Sequence, residues 1–166
     1  LGPIFVGETI IMSGRIDARL AQLAVELPAP PVPVAAYVPY VQTGNLVFIS
    51  GQVSFLGDDD SSAGKVGADL TPEQGQQAAR NSALNSLAHL KNACGGDLDR
   101  VKRCVGLRIY VASAPDFTGQ PAVGNGASEL VVEIFGDAGK HSRAAVGVTA
   151  LPLNCAVEVE SVWEID

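Results

Sequence analysis

Hydrophobic and polar positions change their period several times along this chain, and each change marks an element. Ile16, Leu20, Leu23 and Leu27 in "GRIDARLAQLAVEL" recur at helical spacing, so an amphipathic helix is predicted behind a candidate cap at Ser13. "PAPPVP" stops it, because proline lacks an amide donor and restricts the residue before it. In "VAAYVPYVQTGNLVFISGQVSF" two β-rich runs flank Thr43-Gly44-Asn45. This predicts a hairpin whose second strand ends near Ser50-Gly51. "LGDDDSSAGKVGADL" is polar and glycine-containing and reads as a loop. Thr71-Pro72-Glu73-Gln74 is a helix start in which Thr caps and Gln74 completes a capping box. The helix should run to about Cys94, with Ala79, Ala83, Leu84, Leu87, Leu90 and Cys94 on one wide apolar face and Gly95-Gly96 ending it.

The second half alternates differently. "VKRCVGLRIYVA" sets Val101, Arg103, Val105, Leu107, Ile109 and Val111 against Lys102, Cys104, Gly106, Arg108 and Tyr110, a strand with two unlike faces. "GNGASELVVEIFG" predicts a shorter helix ended by Gly136, with Gly124 and Gly126 read as a flexible turn rather than a dinucleotide fingerprint. A strand from Arg143 to about Thr149, a turn at Leu151–Asn154 and a final strand "CAVEVESVWEI" complete the chain. On that last strand Val157, Val159, Trp163 and Ile165 face one way and Glu158, Glu160 and Glu164 the other. It is expected to pair with the strand that Arg143 opens, placing Arg143 and Glu158 at roughly opposite ends of one edge, so that any joint function calls for a neighbouring chain. The order is β-β-α-β-α-β, an α+β mixed sheet with two helices on one face plus an N-terminal helix. The strands stay apolar on both faces, which predicts a symmetric oligomer with ligand clefts between subunits.

Composition narrows the chemistry. The 166 residues suit one domain, and 47% hydrophobic against 17% charged residues supports a sizeable core. A net charge of −7 opposes the counterion-release term of nucleic-acid binding, so nucleic acid is not an expected partner. Cys94, Cys104 and Cys155 are odd in number and lack C-x-x-C spacing, which reads as reduced core thiols of a cytoplasmic protein. No apolar run reaches membrane-spanning length, and no membrane association is expected. Residues 1–11 read as an expression remnant or upstream extension, 12–34 as helix and proline-rich linker, and 35–166 as the domain proper. Asp58, Asp60, Ser62 and Asp69 hint at a calcium loop, but Ala63 and Asp69 stand where glycine and a bidentate Glu belong, so no metal is expected. His89 and His141 read as surface histidines, with a part in the chemistry as the alternative for His141.

One residue stands out in "HSRAAVGV". Arg143 heads a small, apolar run, and its fork of five donors suits a carboxylate ligand. "GNLVFISGQ" at 44–52, with "SRAAVGVTALPLNCAVEVE" at 142–160, resembles the RidA/YjgF family of reactive intermediate deaminases, also described as translation-inhibitor endoribonucleases. The resemblance spans roughly residues 35–165. It implies a chorismate-mutase-like fold, a homotrimer with sites at subunit interfaces, and hydrolysis of small imines and enamines such as 2-aminoacrylate to 2-keto acids and ammonia, without metal or cofactor. By the same resemblance Arg143 would hold the substrate carboxylate and Glu158 would orient the attacking water. Ser50, Gly51, Asn125 and Ala145 would line the pocket, with Tyr37 or alternatively Tyr40. The chain departs from the family at Ala145, where Cys or Thr is common in active members, and at His141-Ser142, where a proline is usual. Two other readings follow: a non-catalytic trimer that binds a small carboxylate metabolite, and an endoribonuclease.

Overall fold

The computed structural model describes residues 14–33 and 35–166. The expectations for residues 1–11 and for a cap at Ser13 therefore lie outside the described residues. The elements are α1 (Arg15–Gln22), β1 (Tyr40–Thr43), β2 (Leu46–Val53), α2 (Pro72–Ala93), β3 (Val101–Ala112), α3 (Gln120–Phe135), β4 (Ser142–Val148) and β5 (Val157–Ile165), with short 3-10 turns between some of them. The five strands form one mixed sheet in the order β1-β2-β5-β3-β4. β3 and β4 are parallel, and the other neighbours antiparallel. α2 packs on β2 and β5 and α3 on β3 and β4, so both long helices cover one face. This is the α+β architecture expected from the sequence.

One expected pairing does not form. β5 lies between β2 and β3 and makes no ladder with β4, which follows β3 through the α3 crossover and pairs only with β3. The reason lies in the alternation of β5: Val157, Val159, Ser161, Trp163 and Ile165 are all buried, which suits a central strand, whereas Ser142, Arg143, Ala144 and Val146 are exposed, which suits an edge.

The register of β3 also departs from simple alternation. Irregularities between Val101 and Arg103 and between Cys104 and Gly106 turn Cys104 into the core and Val105 outward, at 39% exposure. β2 runs on past Ser50-Gly51 to Val53, through a bulge between Ile49 and Gln52.

α2 forms as its signals dictate. Thr71 Oγ1 accepts from the Gln74 amide at 3.2 Å and Gln74 Oε1 from the Thr71 amide at 2.8 Å. Its apolar stripe is buried, but so is a polar stripe that periodicity did not flag. Ser82 donates to the Val157 carbonyl at 3.1 Å, Asn85 to the Val53 and Phe55 carbonyls at 3.0 and 2.7 Å, and Ser86 meets Ser161 at 2.7 Å. These bonds tie the helix to β5 and to the end of β2. His89 extends the stripe at 2% exposure, correcting the surface reading, and burial pushes its imidazole pKa down.

α3 starts one turn earlier than expected, at Gln120, with Pro121 in its first turn. Gly124 and Gly126 are thus helical, not a flexible turn. A Cβ at Gly126 would overlap the Gln76 carbonyl of α2, so this glycine lets the two helices touch. α1 is shorter than expected: the Val25 amide donates to the Leu20 carbonyl at 2.9 Å across a left-handed Ala24, and Leu23 and Leu27 reach the core from beyond the helix. Cys94, Cys104 and Cys155 are buried free thiols. No described helix is long and apolar enough to cross a membrane.

The start of α1 is capped from a distance. Asp99, in the turn before β3, accepts from the Arg15 and Ile16 amides at 2.7 and 2.8 Å, and the Ile16 bond above all holds its carboxyl below the usual range. Because the folded value lies below the unfolded one, the cap stabilises above the normal carboxylate range and is lost as pH falls through the lowered, folded-state value. Asp99→Ala is expected to cost about 1 kcal/mol, read as a lower midpoint in chemical denaturation at neutral pH with unchanged slope.

Candidate functional site

The parallel ladder sets which way β4 points its side chains. Arg143, Ala145 and Gly147 register with Leu107, Ile109 and Val111, the buried residues of β3, so they face the helices. Because β4 is the edge, Arg143 stays exposed while its guanidinium lies along α3. Nη1 donates to Asn125 Oδ1 at 2.9 Å and to Ser128 Oγ at 3.2 Å, and Nη2 donates to the Pro121 carbonyl at 3.2 Å. Three of five donors are engaged among the described residues. The Nε–H and one Nη2–H are left, on neighbouring nitrogens of the planar fork. A Cβ at Gly124 would crowd Ile109 Cδ1 at 3.1 Å and meet Arg143 Nη1 and Ala145 Cβ only at ordinary contact, 3.4 Å, so this glycine serves the packing of α3 on β3.

Glu158 lies on the opposite face. It is the cross-strand partner of Val53 on one side and Tyr110 on the other, and its neighbour on the same face of β5 is Glu160. A Cβ at Gly51 would overlap Glu158 Oε1, so the bulged β2 makes room for this carboxylate through a glycine. Ser50, beside it, donates to the Val38 carbonyl at 2.7 Å and so holds down the bend that carries Tyr37. Tyr37 is 49% exposed, whereas Tyr40 packs against the core.

The residues singled out in the sequence thus fall into two clusters. Arg143, Asn125 and Ala145 come together on the α3 side, and Glu158, Gly51 and Ser50 on the open side. One copy of the chain does not bring Arg143 to Glu158. Sequence reasoning missed Ser128, Pro121 and Tyr110. Ser128 had a signal, because it follows Asn125 by three residues and shares its face of a helix. Tyr110 had one as well, on the polar side of β3 opposite the acidic side of β5.

Residues 17–164 match the family described as "YjgF/chorismate_mutase-like, putative endoribonuclease". The chain belongs to the YjgF/RidA family. It is 43% identical to Protein TCP17 of Trypanosoma cruzi over 95% of this chain and 99% of that protein. It is 28% identical to the 2-iminobutanoate/2-iminopropanoate deaminase of Dermatophagoides farinae over 86% of this chain and 95% of that protein. Among solved structures, Agrobacterium tumefaciens Atu1372, a protein of unknown function, matches with a TM-score of 0.85 at 41% identity, over 91% of this chain and 92% of that one.

Within this YjgF/RidA fold two perturbed groups, Glu158 and Tyr110, lie at the acidic face of β5. Burial, and then the charge of Glu160, push the Glu158 carboxyl above its ordinary pKa. Tyr110 donates to Glu160 Oε2 at 2.7 Å, and that hydrogen bond pushes the phenol up in turn. Removing the neighbouring charge by Glu160→Gln should move the Glu158 midpoint to lower pH, leaving it above the normal glutamate range because burial persists. Carboxyl carbon shifts followed by NMR across a pH titration measure this; a midpoint that stays or rises contradicts the assignment.

Proposed function

We propose that this protein hydrolyses small imines and enamines derived from amino acids to 2-keto acids and ammonia, at sites formed between copies of the chain. The observation that carries this reading is Arg143: an exposed guanidinium fixed by three acceptors, with two adjacent donors spare for a carboxylate. Glu158 supplies the second requirement, a carboxylate whose raised pKa suits it to take a proton from water. The deaminase name of one relative supports the substrate class.

Arg143 and Glu158 face opposite sides of one sheet, so the site takes one from each of two copies. The open face supports such an assembly, because Val41, Phe48, Val105 and Val146 expose apolar surface there that a second copy would cover. A homotrimer is the arrangement proposed. The substrate is a small carboxylate-bearing metabolite.

The reaction needs only these groups. A 2-aminoacrylate tautomerises to 2-iminopropanoate, CH3–C(=NH)–COO−. Glu158 accepts a proton from water as its oxygen bonds to the imine carbon and the π pair moves to nitrogen. Glu158 gives that proton to the nitrogen, then takes the hydroxyl proton of the carbinolamine and passes it to the amine as the C=O bond forms and the C–N bond breaks, so that pyruvate and ammonia leave. Arg143 holds the carboxylate throughout.

One observation favours binding without turnover: Ala145 places a methyl group on the Arg143 side of β4, with no polar atom of its own. The test is release of ammonia and keto acid from enzymatically generated 2-imino acids, with Arg143→Ala in parallel. The variant should keep its fold and lose about 100-fold in kcat/KM, the scale of a charged hydrogen-bonding group. Background rates from both proteins would leave carboxylate binding alone, and equal accelerated rates would remove Arg143 from the site.

A further inference from the structure

The hydrogen bonds behind Arg143 continue to a residue that the reading above leaves without a role. His141, two positions earlier, is half-buried between α3 and the turn that precedes β4. Its Nδ1 lies 2.6 Å from the Gly139 carbonyl and its Nε2 2.9 Å from Ser128 Oγ. A carbonyl can only accept, so Nδ1 carries the hydrogen and Nε2 of the neutral ring is an acceptor. The Ser128 hydroxyl therefore donates to Nε2 and turns its lone pairs to Arg143 Nη1, 3.2 Å away. Every donor has a direction: Arg143 to Ser128, Ser128 to His141, His141 to the Gly139 carbonyl.

The far end of this chain does not give way. Gly139 is buried, and a Cβ there would press on the Val131 carbonyl of α3, so its own carbonyl is fixed by close backbone packing. Ser128 also stands one turn from Asn125 on α3, so two acceptors for the same Nη1 are mounted on one helix. Without the Nε2 acceptor the hydroxyl is free to rotate, and its hydrogen can oppose the guanidinium instead of receiving it.

We propose that His141 is a positioning residue for the carboxylate site, acting through Ser128 to fix the rotation of Arg143 so that its Nε–H and spare Nη2–H face the ligand. This rests on Arg143 being the carboxylate anchor. His141 itself touches no substrate. A purely structural role, tying the turn at Gly139 to α3, would alter stability and leave ligand affinity alone.

The test is calorimetric titration of the full chain with 2-oxobutanoate as a keto-acid probe. Ser128→Ala and His141→Phe should each weaken Kd by about 5- to 20-fold, near the scale of one lost hydrogen bond behind the anchor. The double variant should be no weaker than the worse single one, because the two residues act as one unit. His141→Gln offers an amide oxygen to Ser128 and should restore Kd to within about twofold of the parent. In turnover the loss should appear in KM, with kcat little changed. Should His141→Phe not fold, Ser128→Ala and His141→Gln decide the matter. If Arg143→Ala binds the probe as well as the parent, the anchor reading fails and this inference with it. If Arg143→Ala abolishes binding while Ser128→Ala and His141→Phe bind normally or add independently, or if His141→Gln is as weak as His141→Phe, only the positioning role is overturned.

Discussion

Strand β5 is held on both sides by antiparallel ladders, to β2 and to β3, and its strict alternation decides what each face of the sheet can carry. Its inward side chains meet α2, where Ser82 and Ser86 bind Val157 and Ser161 and fix the helix along the strand. Its outward side chains are Glu158, Glu160, Val162 and Glu164, which no described helix covers. From its central place β5 sets the middle of each face, apolar toward the helices and largely acidic toward the open side. The open face thus inherits acids at its middle and apolar residues from the flanking strands.

The same constraint sends Arg143 to the other side. Since β5 fills the place beside β3, β4 is left on the outer edge of β3 and runs parallel to it. Parallel register puts Arg143 level with Leu107, on the helix side, where α3 offers a carbonyl, an amide and a hydroxyl. A cation on an edge strand is ordinarily mobile and strongly hydrated, and three acceptors on one helix remove that freedom before any ligand arrives. The cation and the acid are each well prepared, yet separated by the thickness of the sheet, which makes association the natural completion of the site.

Local chemistry was legible wherever a single residue or short spacing decides it. Thr71, Pro72 and Gln74 gave the start of α2, and the alternation from Val157 to Ile165 gave the two faces of β5. What was not legible depended on contacts distant in sequence. The capping of α1 by Asp99 joins residues more than eighty positions apart, and the burial of Asn85 follows from where β2 ends rather than from the period of α2. The helical role of Gly126 needs the Gln76 carbonyl to be seen, and the outward turn of Val105 needs the irregular β3 register. Strand order was misread because hairpin pairing is the local default, while the observed neighbour of β4 comes through a crossover. For the candidate site, Arg143, Glu158, Asn125 and Gly51 were named by the resemblance, whereas the contacts of Arg143 with Asn125 and of Glu158 with Gly51, and the parts of Ser128 and Tyr110, became visible only in the structure.

In the proposed site one copy provides Arg143 and another provides Glu158. Co-expression of Arg143→Ala with Glu158→Gln, each inactive alone, tests it most directly through imine hydrolysis by the purified mixed assembly. With random assembly about a quarter of the sites pair an intact Arg143 with an intact Glu158 from a different copy, so activity should return to about that fraction of the parent. Mixed assemblies as inactive as either variant alone would contradict a site shared between chains.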